Sequence, residues 1–220
     1  MNLTGINSTV LNDCVRVAHA AILEHREEIA GLDQAIGDGD HVFNIIRGLE
    51  ALEAMRDDLA QKSIADALKA SARKLLETIG GSSGPLFATL LLGMSKACDS
   101  DTPSSSDLAK MFNEGVTAMS ARGKATVGEK TMLDVLIPVA NAFVQHTSDG
   151  VSGTTLLEAL KLEAQQGMES TREMIATKGR ASFLGERAIG HIDPGARSSQ
   201  VMIAAICDHL AETILQAADD

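Results

Sequence analysis

The chain has 220 residues, 45% of them apolar, which is enough to bury a core of its own and to form a single domain over residues 1–220. Its formal net charge of −11 argues against a nucleic-acid surface, and with no Trp or Tyr and only five Phe it offers no platform for stacking bases. Three cysteines, Cys14, Cys98 and Cys207, lie in apolar helical patterns without CxxC spacing, and read as free buried thiols in a reducing, cytoplasmic compartment.

Helical periodicity dominates from the start. Val10, Cys14, Val17 and Ala21 recur on one face of a first helix over 8–30, which Gly31 is expected to stop. A second helix runs from about Phe43 through Ile46 and Leu49 to Met55. Ser63 caps a third, with Ile64, Leu68, Leu75 and Ile79 on its face. Pro85 suits the first turn of a fourth, through Leu86, Leu90 and Met94. Residues 99–106 form a polar loop, and Ser106 or a neighbour caps a fifth helix with the stripe Leu108, Met111, Phe112, Gly115 and Met119. A sixth, about 131–147, is apolar nearly all round and is expected to be the most buried, with a kink at Pro138. A seventh spans about 154–176 and the last about 198–217. The Met1-Asn-Leu-Thr-Gly start has no basic or apolar leader pattern, and no apolar run reaches membrane-spanning length, so neither a signal peptide nor a membrane partner is expected. Eight helical segments with short loops imply an all-α, antiparallel up-and-down barrel or bundle. The exception to the short loops is 177–197, which holds four glycines and three arginines; long ordered loops inside a compact domain are usually functional.

The chemistry concentrates between helices. Asp33, Asp38 and Asp40 fall within eight positions, beside Gly37 and Gly39. Such carboxylates repel one another unless a cation neutralises them, and their hard oxygens suit Mg²⁺ or Ca²⁺. The spacing is not that of an EF-hand. The plainer reading is an acidic turn whose last Asp caps the next helix. Gly80-Gly-Ser-Ser-Gly ahead of a helix offers amides and hydroxyls to a phosphate, or simply caps that helix. Arg180 or Lys178 would neutralise phosphate charge, or stand as solvated loop cations. His191 beside Asp193 reads as a local hydrogen bond more readily than as a catalytic pair, and His41 alone as an ordinary loop histidine. Simple counting of connections does not require 37–44 and 80–85 to share a rim, so their convergence is an expectation drawn from chemistry.

Leu32-Asp33-x4-Asp38-Gly-Asp40-His41-x2-Asn44, Gly80-Gly-Ser-Ser-Gly-Pro-Leu-Phe87, Arg122-Gly-Lys124, Lys130-Thr-Met132 and the run from Lys178 through Arg187 to Gly190-His-x-Asp-Pro-Gly195 occur in one order. Together they resemble the nucleotide-binding L-subunit family of bacterial dihydroxyacetone kinases, DhaL. The resemblance implies an eight-helix barrel with the nucleotide at one rim. It implies two Mg²⁺ ions on Asp33, Asp38 and Asp40. It implies ADP or ATP lined by His41, Val42, Phe43, Asn44, Ser82, Ser83, Gly123, Met132, Arg180, Asp193, Pro194 and Gly195. No side chain of this chain is then needed as a nucleophile, because metal-assisted positioning suffices for phosphoryl transfer. A separate K-type subunit would hold dihydroxyacetone, and an M-type phosphohistidine carrier would phosphorylate bound ADP. In the ATP-dependent branch, exchangeable ATP would serve dihydroxyacetone or another short keto-sugar. A transcriptional regulator and a homodimer are further candidate partners. The family usually has glycine where this chain has Val42, and a side chain there is expected to narrow the approach to a phosphate or to change how tightly ADP is held.

Overall fold

The computed structural model describes residues 6–219, with side chains to residue 216. Residues 1–5, on which the expectation about a leader rests, lie outside them. The described residues form ten α-helices and no strand. They are α1 (Ser8–Glu24), α2 (Arg26–Ile36), α3 (His41–Glu53), α4 (Arg56–Ala60), α5 (Ile64–Thr78), α6 (Ser83–Lys96), α7 (Ser105–Gly123), α8 (Leu133–Ser148), α9 (Gly153–Ser170) and α10 (Pro194–Asp219). Among the described residues no helix is long and apolar enough to cross a membrane.

Ten helices stand in place of the eight expected segments because the first breaks in two and a short helix follows the second. His25 leaves helical geometry (φ −93, ψ 9) and splits the first into α1 and α2. Gly31 does not stop the chain: α2 runs through it to Ile36, carrying Asp33 on its last turn. An exposed glycine weakens a helix without ending it when buried neighbours, here Ile29 and Ile36, hold the turn in place. The face of α1 turned fully inward carries Ala18 and Ile22; Val10, Cys14, Val17 and Ala21 are only half-buried. The short α4 lies just beyond the end expected for the second segment at Met55.

The caps follow from local chemistry. Ser63 Oγ accepts the Asp66 amide at the start of α5. Ser104, rather than Ser106, opens α7 through a reciprocal capping box with Asp107. Helix α8 is continuous through Pro138, and its fully buried residues, from Leu133 to Ala140, all lie in its first half. Of the three thiols only Cys207 is fully buried; Cys14 and Cys98 are half-buried, and all three are free.

Helix packing closes a ring: α1 on α3, α3 on α5, then α6, α7, α8, α9 and α10 in turn, with α10 returning to α1. The four glycine-bearing stretches are the first, third, fifth and seventh connections of this ring. Alternate connections of an up-and-down ring emerge at the same end, so counting does bring 37–44 and 80–85 to one rim. The last connection is not an open loop. It holds the 3₁₀ turns Thr171–Glu173 and Arg180–Ala188, the second interrupted at Gly185, and α10 begins at Pro194, four residues before its apolar pattern.

Candidate functional site

All four odd-numbered connections line one cavity of about 640 Å³. Its wall includes Asp33, Asp38, Asp40, His41, Asn44, Ser82, Ser83, Gly123, Met132, Arg180, Asp193, Pro194 and Gly195. One carboxylate oxygen from each of Asp33, Asp38 and Asp40 lies within 4.8 Å of the other two. Asp33 is buried at the end of α2, and its Oδ2 accepts the His41 amide at 2.9 Å, which ties the cluster to the start of α3. Gly37 makes this approach feasible, because a Cβ there would lie 1.9 Å from Asp33 Oδ1.

Two plain readings of the sequence do not hold. Asp40 stands at the N-cap of α3 without making a side-chain capping bond, so its carboxylate is not spent on the helix. Ser82 stands at the N-cap of α6 and likewise makes none, which leaves its hydroxyl and the first amides of α6 open to the cavity that Ser82 and Ser83 line. Three carboxylates with hard oxygens in one cluster are a donor set that fits Mg²⁺. Arg180 is not a free loop cation: its Nε lies 2.9 Å from Asp38 Oδ2.

His41 is buried, and desolvation holds its pKa below the ordinary value although all three aspartates pull the other way. Its Nε2 lies 2.9 Å from Ser198 Oγ, and Ser198 donates its only hydroxyl proton to Gly195 O. His191 is exposed and makes no bond to Asp193; instead, Asp193 Oδ2 caps α10 by accepting the Ala196 amide at 2.7 Å. Burial pushes the Asp193 carboxyl up to about 7.

Two residues expected at the nucleotide do not line the cavity. Val42 is fully buried against Ile22, Ile29, Ile45 and Val201, while Phe43 is nearly half exposed. The first turn of α3 explains both. Each residue advances a helix by about 100°, so His41 and Asn44 share the cavity face and Val42 and Ile45 share the core face. Val42 thus fills the core instead of narrowing a phosphate path. Sequence reasoning did not single out Lys130, Thr131, Leu86 or Phe183 as lining residues. Lys130 had a signal, its place in a matched motif, but no role; Phe183, at 84% the most exposed large apolar side chain among the described residues, had none.

A family model described as the DAK2 domain matches residues 35–208, a span that takes in all four connections of the cavity. The chain belongs to the DAK2 domain family. Among DAK2 relatives, it is 41% identical over 187 residues to the ADP-binding subunit DhaL of PEP-dependent dihydroxyacetone kinase 1 of Listeria innocua, covering 84% of this chain and 88% of that one. It is 40% identical over 178 residues to the corresponding ADP-binding subunit DhaL of Escherichia coli, covering 80% and 85%. The fold matches the crystal structure of the dihydroxyacetone kinase from C. freundii in complex with AMP-PNP and Mg²⁺, with a TM-score of 0.72 at 22% identity. That match covers 96% of this chain and 34% of the larger one.

Proposed function

We propose that this chain is the Mg²⁺–ADP-binding subunit of a dihydroxyacetone kinase, working as one unit over residues 1–220. In this role it relays a phosphoryl group from an M-type phosphohistidine carrier, through bound ADP, to dihydroxyacetone held on a separate K-type subunit. The observation that carries the reading is one cavity lined both by three clustered carboxylates and by the uncapped, hydroxyl-bearing start of α6. The 40–41% identity to ADP-binding subunits over most of both chains supports it.

In this reading Asp33, Asp38 and Asp40 hold two Mg²⁺ ions. The bound metal supplies charge neutralisation at the phosphoryl oxygens. Ser82, Ser83 and the α6 amides receive phosphate oxygens, with the positive helix end behind them. Arg180 adds a planar cation suited to phosphate. His41, Asn44, Gly123, Met132 and Asp193–Gly195 line the remainder of the nucleotide. No side chain serves as a nucleophile, and the choice of sugar lies with the partner.

The test is native purification with Mg²⁺ and no added nucleotide, then acid release and identification of any ligand by chromatography and mass spectrometry. Near-stoichiometric ADP is expected. A protein that is empty yet binds ATP when supplied would instead indicate exchangeable ATP and a kinase that needs no phosphocarrier. Binding of neither nucleotide overturns the reading. Asp38→Ala should abolish retention by removing one ligand from between like-charged neighbours; retention and transfer at wild-type levels would refute the metal assignment.

A further inference from the structure

Among the described residues, Lys130 is the one buried cation that the functional reading leaves without a task. Its side chain is 1% exposed, and its backbone takes the left-handed conformation at φ 60, rare for a residue with a side chain. Nζ donates to Thr171 O at 2.5 Å and to His191 O at 2.6 Å. These two carbonyls stand at the two ends of the last connection. Thr171 caps the C-terminus of α9, where unpaired carbonyls and the negative helix end favour a cation. A lysine can meet both carbonyls from a single nitrogen, having three donors on a long stem.

Around that nitrogen the two ends clasp each other. The Gly190 amide donates to Arg172 O at 2.8 Å, and the Asp193 amide to Thr171 Oγ1 at 3.0 Å. The residue before Lys130 holds the outgoing limb as well: Thr177 donates its amide to Glu129 O and its hydroxyl to Glu129 Oε1. Beyond this stem, residues 178–188 meet the rest of the molecule through Lys178 near Glu129 at 3.9 Å, Arg180 on Asp38 and a small cluster in which Ala181 and Ala188 pack with Ile36 and Ala176. The hydrogen bonds thus concentrate at the stem, around the buried Lys130 and Thr171, and fewer reach the segment beyond it.

We propose that Lys130 is a positioning residue. Its ammonium pins both ends of the 174–189 segment to the cavity wall, so that the segment hinges as a lid on a fixed stem and the Asp193–Gly195 edge stays in register with the cavity. Both of its observed bonds go to backbone carbonyls, which sets it apart from a group that acts on substrate. The role rests on the nucleotide reading for its effect on affinity, but the lid geometry does not.

The experiment compares wild type with Lys130→Met, which keeps the stem length without the donors, and with Lys130→Arg. Trypsin cleavage of the native full chain after Lys178, Arg180 and Arg187 reads the lid; calorimetry with Mg²⁺ and ADP reads the edge. Loss of two charge-assisted bonds should speed lid cleavage and weaken ADP roughly tenfold to a hundredfold in Lys130→Met, with partial recovery in Lys130→Arg and unchanged helical circular dichroism. Wild-type cleavage and affinity in Lys130→Met would overturn the proposal, as would cleavage that rises only in step with global unfolding. Should Lys130→Met fail to fold, amide exchange in the wild type decides. The Gly190 and Asp193 amides should exchange far more slowly than those of 183–185, and equal rates would overturn it. A wild type that binds no ADP removes the nucleotide reading and leaves the lid test intact.

Discussion

A methyl group at position 37 would overlap Asp33 Oδ1, an atom that cannot yield without leaving the carboxylate cluster. Gly37→Ala should therefore keep the fold but lose at least about tenfold in Mg²⁺–ADP affinity by calorimetry, since a metal site with a displaced ligand loses on the order of that much. Val42 makes the opposite prediction. Replacing it with glycine empties a core position and loosens a helix. Val42→Gly should cost about 3 kcal/mol in urea denaturation followed by circular dichroism, with ADP affinity unchanged once folded. Asp193 sets a pH window. Burial raises its carboxyl from 3.8 to about 7, so between those values the unfolded chain has released a proton that the folded chain keeps. Stability from this group therefore falls as pH rises across that window and is level above it. Asp193→Asn, which can still accept from Ala196, should flatten the slope in denaturation series at pH 4 to 8. The unchanged slope would remove burial of this carboxyl as its cause.

Helix boundaries and faces were legible in the sequence wherever one local rule decided them, and illegible where a distant contact did. Ser63 capped α5 as read, because a cap needs only the next turn. Gly31 misled, because the burial of Ile29 and Ile36 outweighs one glycine's preference. The carboxylate cluster was legible from spacing alone. The cavity-facing side of α3 was not, since the split between His41 and Val42 depends on where the core lies. Lys130 stayed silent because its partners, Thr171 and His191, are 41 and 61 residues away. The pairing of α2 with α10 is another such contact: Arg197 Nε and Nη2 grip Glu28 Oε1 and Oε2 at 2.7 and 2.9 Å. Hydrogen bonding to Arg197 holds the Glu28 carboxyl below its ordinary 4.5, so its contribution is present above that value and lost as pH falls through the lowered one. The pair is partly exposed, and Glu28→Gln should cost less than about 1 kcal/mol by denaturation at pH 7 and nothing at strongly acid pH.

The ring as a whole is closed by α10 returning to α1, so the first and last helices depend on each other across the full length of the chain. Ile22, fully buried beside Val201 of α10, sits at that seam. Ile22→Ala should cost about 3 kcal/mol, and a single cooperative transition should shift, because no helix of a closed ring can leave without exposing two neighbours. Separate transitions for the two halves would contradict a closed ring. The seam also brings Ser198 of α10 to His41 of α3, so the cavity floor is assembled from both ends of the chain. At the rim, Arg180 rests on Asp38. In the proposed function a divalent cation on Asp38 would draw on the carboxylate that the guanidinium already holds, so the two compete for it. By the reciprocity of coupled equilibria, each then weakens the other's hold by the same factor. Under the proposed function the lid is thus a tenant of the cation's seat, and loading the cation would set the arginine loose to greet an arriving phosphate.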